Sequence, residues 1–164
     1  SVIHPKTIQP LKSKKIPLYV KSFVNTSAPG TEVLENESRT LNETQCYIVK
    51  ENQSLITIST KDFSFIVEDN LEIIFNAFNS AGIQLNLMQN SAISFMASFN
   101  KDELKAKKLV NALEEGFNVK IESGYTLLTI FNYNAESSRL KTMLENRNIE
   151  LEQKSNYALQ LVLN

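Results

Sequence analysis

Apolar and polar residues follow regular spacings along most of the chain after residue 43. Residues 54–59 alternate polar and β-branched side chains, which is typical of a half-buried strand. Residues 69–81 carry apolar side chains at helical spacing, with Asp69 or Asn70 placed to cap the first turn and Gly82 to end the helix. The pattern therefore predicts a strand followed by an amphipathic helix.

Regular spacing of apolar residues continues to residue 122. It predicts strands at 83–88 and 92–99 joined by the turn 89–91, a helix at 102–115 and a strand at 118–122. The resulting order is βαββαβ, which is the ferredoxin-like arrangement. The predicted fold class is α+β, with antiparallel sheets that carry their helices on one face.

The rest of the chain repeats this unit in part. It predicts a strand at 125–132, a helix at 136–146 and a hairpin formed by 149–153 and 157–163. A shift of 66 positions aligns the two hairpins, whereas a shift of 72 aligns the first strands, so the first copy has six extra residues in the loop 60–68. The second copy stops after its third strand. A strand at 44–50 could complete it, and the first copy (53–122) would then be inserted into a second one made of 44–50 plus 123–164.

The first 43 residues have a different character. They predict a helix at 7–15 and a strand at 16–21, followed at 25–31 by a run of residues that interrupts regular secondary structure. Residues 32–43 are polar and acidic without periodicity, which predicts a linker. Because one helix and one strand cannot build a core, residues 1–31 are expected to be the tail of a larger domain, and the chain to be a fragment.

Composition and charge exclude several function classes. The net charge is −1, which gives no electrostatic basis for binding nucleic acid or an anionic membrane. The strand 92–99 has no Lys or Arg, which argues against RNA binding through the sheet. No apolar run approaches the roughly 20 residues that span a bilayer. Cys46 is the only cysteine, so no internal disulfide is possible, and its apolar neighbours predict a buried thiol. We expect a cytoplasmic protein.

Nothing in the chain predicts catalysis. Phosphoryl transfer needs a phosphate cradle, usually rich in glycine, and a means of holding Mg²⁺. The four glycines are scattered, and the single histidine, His4, precedes a proline and is expected to be structural. We predict no catalytic residue, no metal site and no cofactor in these 164 residues.

The enlarged loop 60–68 is the strongest candidate for chemistry. Its Phe63, Phe65, Ile66 and Val67 are too apolar for a loop that only meets solvent. A loop beside a helix start can hold a carboxylate through backbone N–H groups, and Asn86 with the turn 89–91 offers amide and hydroxyl groups for an α-amino group. From the residues alone, ligand binding and plain packing are equally supported.

Two blocks of sequence add a family resemblance. Residues 3–10, 16–21 and 28–31 resemble the run that closes the catalytic domain of aspartate kinases, and residues 83–91 resemble the effector-site signature of that family's first ACT domain. The resemblance spans essentially the whole chain. It implies tandem ACT domains, with the first (53–122) binding an effector and the second serving as scaffold. It also implies that ATP and Mg²⁺ belong only to a kinase domain outside this fragment, which should be inactive alone.

The resemblance further implies feedback inhibition by an end-product amino acid. The effectors are expected to lie at the junction between two chains that pair through their ACT domains, as a homodimer. Asp69 to Leu71 would line the backbone cradle, Leu85 and Asn86 would contact the effector, and residues 90–93 would reach across from the partner chain. The implied effector-binding residues are Lys61, Ser64, Val67, Asp69, Asn70, Leu71, Gln84, Leu85, Asn86, Gln89, Asn90, Ser91 and Ile93.

Lysine is the favoured effector, because the loop is similar to that of the lysine-sensitive monofunctional enzymes. Two positions depart from that pattern: Asn86 stands where the family commonly has Asp, and Ala92 where lysine-sensitive members commonly have Glu. A lysine ammonium would then need another carboxylate, and Asp62, Glu68 and Asp69 are the candidates. The alternatives are a threonine-responsive sensor and a dimerisation module without a ligand.

Overall fold

The computed structural model describes residues 3, 5–33 and 45–164. These residues belong to two compact units, which comprise residues 1–42 and 43–164. His4 and residues 34–43 of the predicted linker lie outside the described residues.

In the first unit, the residues that the structure describes form one helix and a small two-stranded sheet. Helix α1 is Pro5–Ser13, and strands β1 (Leu18–Val20) and β2 (Thr31–Val33) pair antiparallel. The hydroxyl of Tyr19 donates a hydrogen bond to Glu32 across this pair. The predicted linker therefore starts too early, because Glu32 and Val33 form a strand. Three residues are too few for a recognisable alternation of polar and apolar side chains.

The second unit contains three helices and six strands among the residues that the structure describes. They are β3 (Cys46–Thr60), α2 (Glu68–Ala81), β4 (Leu85–Asn90), β5 (Phe95–Asn100), α3 (Glu103–Leu113), β6 (Phe117–Phe131), α4 (Ser138–Leu144), β7 (Ile149–Lys154) and β8 (Ala158–Leu163). All the strands pair antiparallel in one sheet of order β4-β5-β3-β6-β8-β7. The predicted α+β class with antiparallel strands is confirmed. None of the described helices has the length and apolar character needed to cross a membrane.

Two long strands join the repeats into this single sheet. The predicted strands 44–50 and 54–59 are one strand, β3, and 118–122 and 125–132 are likewise one strand, β6. The polar residues between them form bulges and do not end the strands. Asn52 has a φ of 55° and Gly124 a φ of 102°, and the pairing of β3 with β6 shifts on either side of Gln53. Each bulge inserts an extra residue, so the strands continue with altered twist.

Gly124 is a position where glycine is needed for its backbone conformation. A Cβ atom there would meet no atom within 4 Å, so any effect of alanine comes from the positive φ alone. We expect Gly124→Ala to lower the free energy of unfolding by about 1–2 kcal/mol in urea denaturation. Gly116→Ala is the matched control, because Gly116 also has open space but no positive φ. Equal losses in the two variants would contradict the assigned bulge.

The bulges divide the sheet into two halves with the same strand order. The first half contains β4, β5 and residues 54–60 and 117–123 of the long strands; the second contains β7, β8 and residues 125–131 and 46–50. Residues 46–50 thus form an edge of the second half, paired only with β6. This explains why Cys46 is exposed and the predicted buried thiol is wrong.

Each half buries one sheet face under helices. In the first half, Ile56, Ile58 and Phe99 pack with residues of α2 and α3, such as Phe78 and Leu109. In the second half the equivalent cluster joins residues of β6 and β8 to Leu140 of α4, namely Leu128, Ile130, Leu159, Leu161 and Leu163. Both halves therefore follow the predicted arrangement of helices on one face.

The opposite faces of the two halves share a third cluster, which we call the inner layer. It contains Leu55 and Leu87 of the first half together with Leu127, Leu151 and Val162 of the second. Leu87 lies on β4 and Leu151 on β7, which are the two edge strands of the sheet. The halves consequently face each other across the inner layer, and the two edges of one sheet lie close together.

Candidate functional site

The loop 61–67, predicted as the candidate site, is ordered by its own polar groups. The Asp62 carboxylate accepts hydrogen bonds from the backbone N–H and the hydroxyl of Ser64, at 3.1 and 2.7 Å. These two donors hold the pKa of Asp62 below its usual range. The Thr60 hydroxyl donates to the Ser64 carbonyl at 2.7 Å. These three hydrogen bonds therefore hold the conformation of the turn that follows β3.

The loop ends where α2 begins. Val67 is the N-cap residue and its N–H donates to Oδ1 of Asn70 at 3.0 Å, so the helix starts at Glu68. Of the two predicted caps, Asn70 therefore caps the first turn, from the third helical position, by accepting a hydrogen bond from the Val67 N–H. The N–H groups of Glu68, Asp69 and Asn70 have no acceptor within the helix, as at any helix start.

A hydrogen bond joins this loop to the turn between β4 and β5. The N–H of Ile66 donates to the carbonyl of Ala92 at 2.8 Å, and the Ile66 side chain is buried in the first-half core. The turn itself is closed by Ser91, whose hydroxyl accepts from the Ser94 N–H at 3.0 Å. The structure therefore brings together two sequence segments that were predicted to form one site.

Large apolar side chains point outward around this junction. Phe63 is 90% exposed, Phe65 66%, Val67 49% and Ile93 59%. We call these four residues the apolar loop surface. Phe65 and Val67 flank Ile66 in the chain and Ile93 follows Ala92, so three of the four adjoin the residues that the 2.8 Å hydrogen bond joins. Four exposed apolar side chains in one loop and the turn bonded to it indicate a binding surface.

The Asn86 side chain forms hydrogen bonds with strand residues away from this junction. Its side-chain N–H₂ donates to Gln53 at 2.7 Å and to Asn100 at 2.8 Å, and its oxygen accepts from Lys50 at 2.9 Å. Ser98 also donates to the Gln53 oxygen, at 3.2 Å. We call Lys50, Gln53, Asn86, Ser98 and Asn100 the bulge network, since Gln53 lies between the two bulges. An effector contact through the Asn86 side chain stays a prediction, as this amide already has partners.

Two further predicted residues lie apart from the junction. Lys61 extends toward the end of α3, where its ammonium donates to the carbonyl of Glu115 at 2.9 Å. Gln84 lines a separate groove near the start of α3, together with Asp102 and Lys105. The fold thus gathers the loop and the turn, but it does not gather all thirteen predicted residues in one pocket of a single chain.

Gln89 and Asn90 line a cavity between the two edge strands. It has a volume of about 260 Å³ and is formed by Leu87, Met88, Gln89 and Asn90 of β4 with Leu151, Glu152 and Gln153 of β7. No residue of β7 was among the predicted site residues. The repeat could have indicated this role. A shift of 66 positions makes β7 the counterpart of β4, and equivalent strands of two repeats can face each other. Glu152 is the one carboxylate that β7 adds to this cavity.

No arrangement for metal binding is evident. Among residues 3, 5–33 and 45–164, no three His, Cys, Asp or Glu side chains are placed to hold a metal ion. The polar groups near the junction are amides, hydroxyls and the carboxylates of Asp62, Glu68 and Asp69. This set can bind a small zwitterion through hydrogen bonds and ion pairs.

Comparisons with known proteins agree on one family. No family model matches the chain. Aspartokinase 1 (chloroplastic) of Arabidopsis thaliana is 25% identical over 113 residues, which cover 66% of this chain and 19% of the relative. The bifunctional aspartokinase/homoserine dehydrogenase of Haemophilus influenzae is 28% identical over 116 residues, covering 71% of this chain and 14% of the relative. The chain thus spans at most about a fifth of the length of these relatives.

Solved structures share its fold. Aspartate kinase of Clostridium acetobutylicum superposes with a TM-score of 0.79 at 20% identity, covering 100% of this chain and 41% of the other. Aspartokinase III of E. coli in complex with lysine and aspartate gives 0.73 at 22% identity, covering 99% and 38%. The regulatory subunit of Thermus thermophilus aspartate kinase gives 0.54 at 14% identity, covering 73% and 87%. The chain matches aspartokinases in sequence and has the fold of their C-terminal regulatory, tandem ACT region.

Proposed function

We propose that this chain is the regulatory region of an aspartate kinase, and that it binds an end-product amino acid, lysine in preference, for feedback inhibition. The kinase reaction, with ATP and Mg²⁺, would belong to a domain outside these 164 residues. The support is the similarity to aspartokinases over 66% or more of the chain and the shared fold.

The effector site is proposed at the junction of the loop 61–67 with the turn between β4 and β5. The observation that carries it is the 2.8 Å hydrogen bond from Ile66 to Ala92, which holds both predicted segments together. The free N–H groups at the start of α2 would receive the effector carboxylate. Asp62, Glu68 and Asp69 are the carboxylates available to a lysine ammonium near this junction.

A second copy of the chain is proposed to complete the site. The cavity beside Asn90 measures about 260 Å³, below the range of about 300–1,000 Å³ usual for small-molecule sites. The apolar loop surface is exposed at the same end of the first half. Pairing of two first halves would cover this surface and enclose the effector between the chains.

A thermal-shift panel tests this proposal. Lysine at 100 times its dissociation constant should raise the melting temperature by about 5–10 °C, since a ligand of the native state stabilises by about 2.7 kcal/mol at that excess. Threonine, methionine and S-adenosylmethionine should give little shift. A response to threonine alone would contradict lysine sensing. If no compound raised the melting temperature, the sensor proposal would fail and the dimerisation module without a ligand would be the remaining alternative.

One substitution locates the site. Asn90→Ala should abolish the lysine shift and leave the melting temperature of the free protein within about 1 °C, because Asn90 is exposed at the end of β4. Asn156→Ala is the matched control, as Asn156 is the counterpart of Asn90 in the second repeat and is also exposed. A lysine shift that survives Asn90→Ala would put the effector elsewhere.

A further inference from the structure

A lysine of the second half holds the side-chain oxygen of Asn86 in the first half. The ammonium of Lys50 donates a hydrogen bond to Oδ1 of Asn86 at 2.9 Å. Lys50 is the last residue of the second-half part of β3, where it pairs with Leu127. Asn86 lies at a bulge of β4, since the pairing with β5 shifts between Leu85 and Leu87. This hydrogen bond therefore connects the two halves.

The orientation of the Asn86 amide follows from its other partners. Its N–H₂ donates to oxygens of Gln53 and Asn100, at 2.7 and 2.8 Å, so its oxygen is the atom that faces the Lys50 ammonium. That oxygen is a neutral acceptor, whereas Lys50 is a cation. Lys50 is exposed, so water can replace Asn86 as its partner at a small cost in free energy. The contact is one that a competing cation can displace.

The same oxygen is the acceptor that Asn86 offers to an amino-acid effector. Asn86 is among the predicted effector residues, as a partner for an amino group. The ammonium of a free amino acid and that of Lys50 have the same chemistry, a compact cation with three donors. Two ammonium groups on one oxygen would lie about 5 Å apart and repel each other. Lys50 and the effector therefore compete for this oxygen.

We propose that Lys50 is an internal competitor of the effector: its ammonium occupies the Asn86 oxygen in the free chain and leaves when an ammonium group of the effector binds there. This inference rests on the proposed function, in which the first half binds an amino acid. Lys50 sets the affinity of the site, because the free energy of the lost contact is subtracted from that of binding. Since Lys50 belongs to the second half, the exchange also removes a contact between the halves, so the second half responds to occupancy of the site.

Calorimetric titration of lysine into two variants tests this role. Lys50→Met keeps an apolar stem of similar length and removes the charge. It should bind lysine about 3–10-fold more tightly than the wild-type chain does, because the Asn86 oxygen is then free and the repulsion is absent. Lys141→Met is the matched control, since it removes the same charge from α4, where the ammonium of Lys141 contacts Glu136 at 3.0 Å. It should leave the affinity for lysine unchanged.

Salt separates an effect of charge from an effect of packing. The gain from Lys50→Met should fall to about twofold or less in 1 M NaCl, where the Debye length is about 3 Å. The inference is overturned if Lys50→Met gives no gain, if Lys141→Met gives an equal gain, or if the gain is undiminished in 1 M NaCl. When the wild-type chain binds lysine and Lys50→Met gives no gain, only the role of Lys50 fails. If neither protein binds lysine, the proposed function fails as well.

Discussion

Replacement of Phe99 by alanine should lower the free energy of unfolding by about 3–5 kcal/mol. Phe99 is fully buried in the first half, and its ring meets that of Phe78 edge to face, with centroids 6.3 Å apart. Alanine would leave a cavity beneath α2 and remove this ring contact. Urea denaturation followed by circular dichroism measures the loss.

Phe63→Ala is the control for this prediction. Phe63 lies in the same half but is 90% exposed, so its loss should change stability by less than about 0.5 kcal/mol. If Phe99→Ala were as mild as Phe63→Ala, the assigned core of the first half would be wrong. The control also separates the apolar loop surface from the core, since Phe63 serves binding in our proposal and not folding.

Replacement of Gln53 by alanine should lower the free energy of unfolding by about 2–4 kcal/mol. Gln53 is 1% exposed and is the centre of the bulge network. Its side-chain oxygen accepts from Asn86 and Ser98, and its N–H₂ donates to Asn100 at 3.1 Å. Alanine would remove an acceptor from the fully buried Ser98 hydroxyl and open a gap between the halves.

Gln153→Ala is the matched control on β7, where the glutamine is exposed. It should leave the free energy of unfolding nearly unchanged in the same urea experiment.

Hydrogen exchange adds a second readout. In Gln53→Ala the amides of β3 and β6 next to the bulges should exchange faster than in the wild-type protein, because the network fixes both strands there. Protection equal to wild type would show that the network does not hold the halves together.

The order of elements could be predicted from the sequence, because the apolar spacings in α2, α3 and the hairpins are set by local burial. The continuity of β3 and β6 could not. Glu51-Asn52 and Ser123-Gly124 have the composition of loops, and only the pairing of the two long strands turns them into bulges. Cys46 was expected to be buried for a related reason: its apolar neighbours suggest an inner strand, whereas residues 46–50 form an edge.

The candidate site was predictable in its parts but not in its assembly. The excess of apolar residues in the loop 61–67 and the amides near Ser91 were visible in sequence, and the Ile66–Ala92 hydrogen bond joins them. The partners of Asn86 and Lys61 depend on contacts with residues 53, 100 and 115, which no local pattern reveals. The cavity wall supplied by Glu152 arises from two edges of one sheet approaching each other, which is a property of the whole unit.

Calorimetric titration of lysine into the purified chain tests the central proposal most directly. The expected result is saturable binding of one lysine per chain. Binding should persist in Asn156→Ala and be lost in Asn90→Ala, with both variants folded by circular dichroism. The contradicting result would be a folded protein that gives no saturable heat with lysine, or an Asn90→Ala variant that binds lysine as the wild-type protein does.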